Sequence, residues 1–323
     1  MKLNRSWLSL AAVLVMASLL ANADSARGSF FRSVTVSAMV DLDITTGAGN
    51  VTVTNGNSGT VSISARINAH GSRGMSAEEK VRLIEANPPI SQNGNNIRVG
   101  QFDQRELRQN VSISYVLVVP NMTQLRARTG SGDEKVRGIT GPVKVESGSG
   151  TLFLSNIGGE VKATTGSGDI HLDQIKGPVR VNTGSGGIRA EGIGGEFTAS
   201  TGSGDVTVRQ NSPGAVRVGT GSGNVVLEGV DGELRAETGS GDINAQGTVS
   251  QPWRLHTGSG GLRLRLPSGL GYDLDARTDS GSIHVQQPIT MQGSISRSHV
   301  QGKVLGGGTL IELQTGSGDI RID

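Results

Sequence analysis

Residues 165–182 read Thr-Gly-Ser-Gly-Asp-Ile-His-Leu-Asp-Gln-Ile-Lys-Gly-Pro-Val-Arg-Val-Asn, and Thr183 begins the same phrase again. The apolar positions in this stretch are Ile170, Leu172, Ile175, Val179 and Val181. Alternation within Ile-x-Leu and Val-x-Val is the period of a strand with one buried face, so the stretch predicts two short strands. Gly-Ser-Gly and Gly-Pro stand between them as corners, where a Cβ would clash or the backbone needs positive φ.

The same phrase recurs along the chain. Thr-Gly-Ser-Gly or a close variant starts at Thr129, Ser147, Thr165, Thr183, Thr201, Thr220, Thr238 and Thr257, with a degenerate copy at Thr278 and a clean one at Thr315. The spacings are 18 or 19 residues up to Thr257, then 21 and 37. The last is two periods long, which implies an intervening copy that has lost its motif. A fixed period of this length marks a solenoid rather than a disordered Gly-rich tract. The expected fold is all-β, a single-stranded β-solenoid (β-helix) of about ten 18-residue coils, making a rod about 50 Å long.

Composition agrees with a thin core. The 50 glycines become corner residues, and an aromatic content of 3% suits stacked Val, Ile, Leu and Thr. So few aromatics argue against a stacking platform for sugars or bases, and the lack of a three-residue Gly period excludes collagen. There is no Cys, hence no disulfide framework and no Cys-containing zinc site.

The N-terminus points to export. Lys2 and Arg5 precede an apolar run from Trp7 to Leu20, and Ala21-Asn22-Ala23 supplies small residues for cleavage after Ala23. Residues 1–23 therefore read as a signal peptide, and the mature chain as periplasmic, cell-surface or secreted. No later stretch is apolar enough for a transmembrane segment. Lys2 and Arg5 leave with the signal, so 30 basic against 28 acidic residues become 28 against 28, and no nucleic-acid partner is expected. Residues 24–128 read as a β-rich capping region with one helix near 76–86, opened by the capping box Ser76-Ala-Glu-Glu and ended by Pro88-Pro89. Residues 129–323 form the repeat region, with degenerate C-terminal coils.

The signal peptide, the helix, Val111-Ser-Ile-Ser-Tyr-Val-Leu-Val-Val-Pro120 and the tandem Thr-Gly-Ser-Gly-Asp-Ile units together resemble a bacterial family. Its members are exported β-strand-repeat envelope proteins carrying a domain of unknown function, usually labelled "putative adhesins". The closing Gly306-Gly-Gly-Thr-Leu-Ile-Glu-Leu-Gln-Thr-Gly-Ser-Gly-Asp-Ile-Arg-Ile322 is similar to that family's ending. The resemblance implies a binding or structural role in the envelope and brings no catalytic residues with it.

Two residue patterns carry candidate chemistry. Corner aspartates Asp133, Asp169, Asp205, Asp242 and Asp319 follow Gly-Ser-Gly, as in calcium-binding β-rolls, but between Asp133 and Asp242 they occur only every second coil. Calcium takes six to eight oxygens, so this spacing predicts structural turn aspartates and no metal site. Repulsion between like charges about 4.8 Å apart, roughly 1 kcal/mol in water, would explain why a coil is skipped. The second pattern is an outward ladder on the Val-x-Val strands: Lys144, Lys162, Arg180, Arg217, Arg235 and Arg254, interrupted by Thr198. It reads either as a track for anionic glycan or lipopolysaccharide, or as a solvated face neutralised by Glu146, Glu160, Glu196, Glu233 and Glu237. No Ser, His and Asp share a register as a catalytic set, and no cofactor motif is present. The expected function is a non-catalytic envelope-binding or structural module. The alternatives are a β-helix polysaccharide-active enzyme, with Tyr272, Asp273, Asp275 and Asp279 in its one loosened region, and a calcium-binding repeat protein.

Overall fold

The computed structural model describes residues 25–323 apart from 38, 57–58, 73 and 292–295, so the expected signal peptide lies outside the described residues. Two sheets of 14 and 15 strands enclose one core. Each 18-residue period supplies one strand to each sheet. In the period starting at Val161, the five-residue strand Val161–Thr165 enters the second sheet and the six-residue strand Ile170–Ile175 enters the first. Each strand pairs in parallel with its equivalent one period on, as in Lys162↔Arg180 and Ile170↔Ile188. Equal periods thus put like residues in register, and the inward Val, Ile, Leu and Ala positions stack into a continuous buried column.

The corner explains the repeated phrase. Thr165, Thr183 and Thr201 are buried, and each Oγ1 donates to a glycine carbonyl of the preceding coil at 2.9 Å (Gly150, Gly168 and Gly186). The same oxygens accept from the second glycine of their own corner, with Gly168 N–H at 3.2 Å from Thr165 and Gly186 N–H at 3.1 Å from Thr183. One hydroxyl thereby satisfies two buried backbone groups that a corner would otherwise orphan. That second glycine has no room for a side chain: a Cβ on Gly168 would lie 2.0 Å from the Gly150 carbonyl oxygen.

The last coils are not in chain order. In the second sheet Thr309–Ser317 lies between Trp253–Ser259 and Tyr272–Ser280, parallel to both, so that Thr315 faces Thr257 on one side and Thr278 on the other. In the first sheet Ile320–Ile322 likewise separates Leu262–Arg265 from Ile283–Val285. The 37-residue spacing therefore hides no lost copy. The chain passes through Tyr272–Val285, makes an antiparallel excursion through Ile289–Met291 and His299–Val304, and returns to insert the Thr315 coil one place earlier.

At the other end, Val40–Thr46 and Val51–Asn55 form a divergent coil whose Thr46 aligns with Thr129. Beyond it, the first sheet continues with Val111–Val119, parallel to Val51–Asn55, and then antiparallel through Thr60–His70 and the edge strand Ser25–Thr35. The helix Ala77–Ala86 is capped by Ser76 Oγ, which accepts from Glu79 N–H at 3.2 Å, and it buries Ala77, Val81 and Ile84. Gly28 on the edge strand lets it approach, since a Cβ there would meet Val81 at 2.3 Å.

Two outcomes follow from this packing. Gly168→Ala lowers stability by on the order of 3 kcal/mol in urea melts, whereas Gly219→Ala, where a Cβ meets nothing within 4 Å, leaves it nearly unchanged. Deleting residues 309–323 strips both flanking coils of a parallel neighbour. It should replace one cooperative transition by an earlier, broader loss of β-signal in circular dichroism.

Candidate functional site

The six cations of the ladder lie in one row on the outer face of the second sheet, through the pairings Lys144↔Lys162, Lys162↔Arg180, Arg180↔Thr198, Thr198↔Arg217, Arg217↔Arg235 and Arg235↔Arg254. Carboxylates accompany most of them. Lys144 pairs with Glu146 at 2.6 Å, Lys162 with Glu160 at 2.9 Å, Arg235 with Glu237 at 2.6 Å and Arg254 with Glu312 at 3.4 Å. Arg217 holds both Glu196 at 2.6 Å and Glu233 at 2.7 Å. Among the described residues, Arg180 alone of the six makes no ion pair. The Lys144 ammonium, followed by Arg128, keeps the Glu146 carboxyl below its ordinary range, as expected for an ion pair maintained in the folded state.

Each corner aspartate accepts a backbone N–H of the next coil in space. Thr151 donates to Asp133 at 2.9 Å, Gly187 to Asp169 at 2.8 Å, Asn224 to Asp205 at 2.7 Å, Gly261 to Asp242 at 2.7 Å and Ser282 to Asp319 at 2.8 Å. Asn224 does the same for Asp242 N–H at 3.0 Å, so a neutral acceptor also serves at this position. The Ser282 contact holds the Asp319 carboxyl below its usual range. Among the described residues, no three His, Asp or Glu side chains are grouped in a way that could hold a metal ion.

Two of the three acidic residues of the loosened region, Asp273 and Asp275, are also engaged locally. Asp275 holds Arg277 at 2.8 Å and His299 at 2.9 Å, Asp273 accepts from Gly308 N–H at 3.2 Å, and Tyr272 donates to Gln287 at 3.2 Å. On the first sheet's outer face Phe153 and His171 stack with ring centres 4.9 Å apart, and Lys135 covers the other face of Phe153 at 5.3 Å. His171 and Lys135 thus cover the two faces of the Phe153 ring, which is still 38% exposed. A hollow of about 460 Å³ opens beneath residues 100–111, walled by Phe102, Leu107, Val111, Ile113 and Tyr115. The Tyr115 hydroxyl is buried there without a hydrogen-bond partner, and burial raises its pKa.

One inward position breaks the apolar column. Glu134 pairs with Val51 on one side and Leu152 on the other, is fully buried, and neither of its carboxylate oxygens has a hydrogen-bond partner. Burial, followed by the Glu146 charge, pushes its pKa up to about 8, against a smaller lowering by the Thr129 backbone. The residue is visible in the sequence as the sole acid at a register otherwise held by Leu152, Ile170, Ile188, Val206 and Val225.

These features define a two-sheet, largely parallel β-solenoid. The chain belongs to the Toastrack DUF4097 family, whose model matches residues 34–208 and again 194–323. A search of curated proteins found no match. Solved structures similar to it include a "putative cell adhesion protein" from Clostridium sporogenes ATCC 15579, at 10% identity, covering 92% of this chain and 99% of that one with a TM-score of 0.22. A "putative adhesin" from Bacteroides fragilis NCTC 9343 shows 12% identity, 92% and 97% coverage and a TM-score of 0.35. A "putative lipid binding protein" from Parabacteroides distasonis ATCC 8503 shows 11% identity, the same coverages and a TM-score of 0.41.

Glu134 makes stability depend on pH with a definite sign. Its folded pKa of about 8 lies above the unfolded carboxyl value, so its contribution is complete below about pH 4. That contribution then falls as pH rises towards 8, because the unfolded chain ionises first, and is constant above that. Glu134→Leu should raise the urea midpoint most at alkaline pH, by a few kcal/mol in stability, and flatten the profile between about pH 4 and 8 relative to the parent.

Proposed function

We propose that the protein is a non-catalytic, exported binding module of the cell envelope, taking an anionic glycan or lipopolysaccharide along the outer face of its second sheet. The observation that carries this reading is the in-register cation row, in which Arg180 has no carboxylate partner among the described residues. Exposed ion pairs are each worth about 0–1 kcal/mol, so a polyanion that engages several cations at once can displace the flanking glutamates. Constant corners leave no long insertions between most coils, and Asp273 and Asp275 of the loosened region are engaged locally, which disfavours a polysaccharide-cleaving site. The pattern of residues 1–23 supports export. The antiparallel strands and helix of the N-terminal region serve as the end cap of the rod, covering what would otherwise be an open edge.

Binding to lipopolysaccharide or an acidic glycan should weaken with salt, and Lys162→Glu with Arg180→Glu should reduce it by about tenfold or more. Binding that ignores both salt and these changes would sink the ladder as the contact face. Release of reducing ends or unsaturated sugars from a polysaccharide panel would establish an enzyme instead.

A further inference from the structure

The rod is not uniformly neutralised, and the exception lies on the opposite sheet from the ladder. Along most of the first sheet's outer face cations are paired: Arg189 with Glu191, Arg209 with Glu228, and both Arg263 and Arg321 with Asp323. Towards the N-terminal end this stops. Arg27, Arg66, Lys135 and Arg137 are exposed on the same face, and none has a carboxylate partner among the described residues. The outward positions of the six adjoining strands, from the edge strand Ser25–Thr35 to Leu152–Ile157, contain no Asp or Glu. The first carboxylate in that row is Asp173, two strands beyond Arg137.

The same area carries an unusual share of exposed apolar side chains. Phe31 is 58% exposed, Val116 50%, Val118 38% and Phe153 38%, which is four of the eight large exposed hydrophobics among the described residues. They are interleaved with the cations: Val116 faces Thr52, Thr52 faces Lys135, and Lys135 faces Phe153. The helix packs on the inner side of these strands, so it leaves this face open. Six strands at ~4.8 Å make a platform roughly 25 Å across.

We propose that this face docks flat onto an anionic phospholipid bilayer. The unpaired cations complement a layer of lipid phosphates, and the apolar side chains between them enter the headgroup boundary. A soluble polyanion would match the cations but would gain nothing from Phe31, Val116 or Phe153, and an apolar partner would leave four charges unpaired. This inference uses a different sheet from the ladder and stands or falls separately from it.

Co-sedimentation of the purified protein with phosphatidylcholine vesicles, with and without phosphatidylglycerol as a minor component, tests it. Binding should require phosphatidylglycerol and weaken with salt. Lys135→Glu with Arg137→Glu should reduce it about tenfold or more, at roughly one surface charge contact per cation. Phe31→Ser with Phe153→Ser should also reduce it, which a purely electrostatic contact would not show. Arg321→Glu, at the far end of the rod, should leave it unchanged. All of these positions are exposed, and an unaltered thermal melt verifies folding of each variant. No vesicle binding, equal binding to both vesicle types, or full competition by soluble glycerol phosphate would overturn the proposal.

Discussion

A threonine hydroxyl that binds two coils at once is the constraint on which the rest of this structure depends. It fixes the corner geometry, because its donor reaches the preceding coil and its lone pair holds the glycine N–H of its own. It also forces glycine at the tight point, where the carbonyl below would meet any Cβ. With the corner set, strands of five and six residues close a coil in 18, and parallel register follows without further specification. The corner aspartates add a second bond between neighbouring coils on the rim of the same turn. Stacked in this way, small aliphatic side chains suffice for most of the core, and among the described residues the most deeply buried aromatics are few: Trp253, Tyr115, Tyr272 and Phe197.

Much of this was legible in the sequence because a repeat declares its own register. Strand positions, inward and outward faces, the helix after Ser76 and the row of cations could all be placed by counting from one threonine to the next. What escaped counting was whatever departs from local order. The edge strand Ser25–Thr35 has little alternation to read, since among its side chains only Phe30 is fully buried. The order of the last coils is decided by long-range pairing, and nothing in the spacing of 21 and 37 distinguishes a lost repeat from a reinserted one. The alternation of corner aspartates suggested charge repulsion, whereas the structure adds a hydrogen-bonding role in which each serves its neighbour. Glu134 was within reach of counting, as the odd member of an apolar column.

The outer faces differ in how their charge is arranged, and that difference was not visible from net charge. Residues 24–323, balanced at 28 basic against 28 acidic, still separate into a paired region and an unpaired one. Pairing is dense where glutamates flank the Val-x-Val strands and absent where the first sheet's N-terminal strands carry Ser, Thr, Asn, His, Val, Phe and cations outward. Because the core is thin, nearly half of every strand is surface, and surface composition can vary from coil to coil at little risk to stability. Specialisation along the rod therefore requires only outward substitutions.

The reinserted coil changes how this rod can be assembled in time. Coils between Thr129 and Thr257 pair across 18 or 19 residues, but Trp253 meets Ile311 across 58, and at the other end Val40 meets Thr123 across 83. Loop closure over longer separations is slower, so the regular coils can zip from local contacts while the final position waits for residues 309–322. Until then, the coils at 253–265 and 272–285 have no native neighbour between them. Provisional pairing of these two coils would have to open again before the last one could enter. The solenoid thus combines a locally propagating body with a non-local closing step at each end.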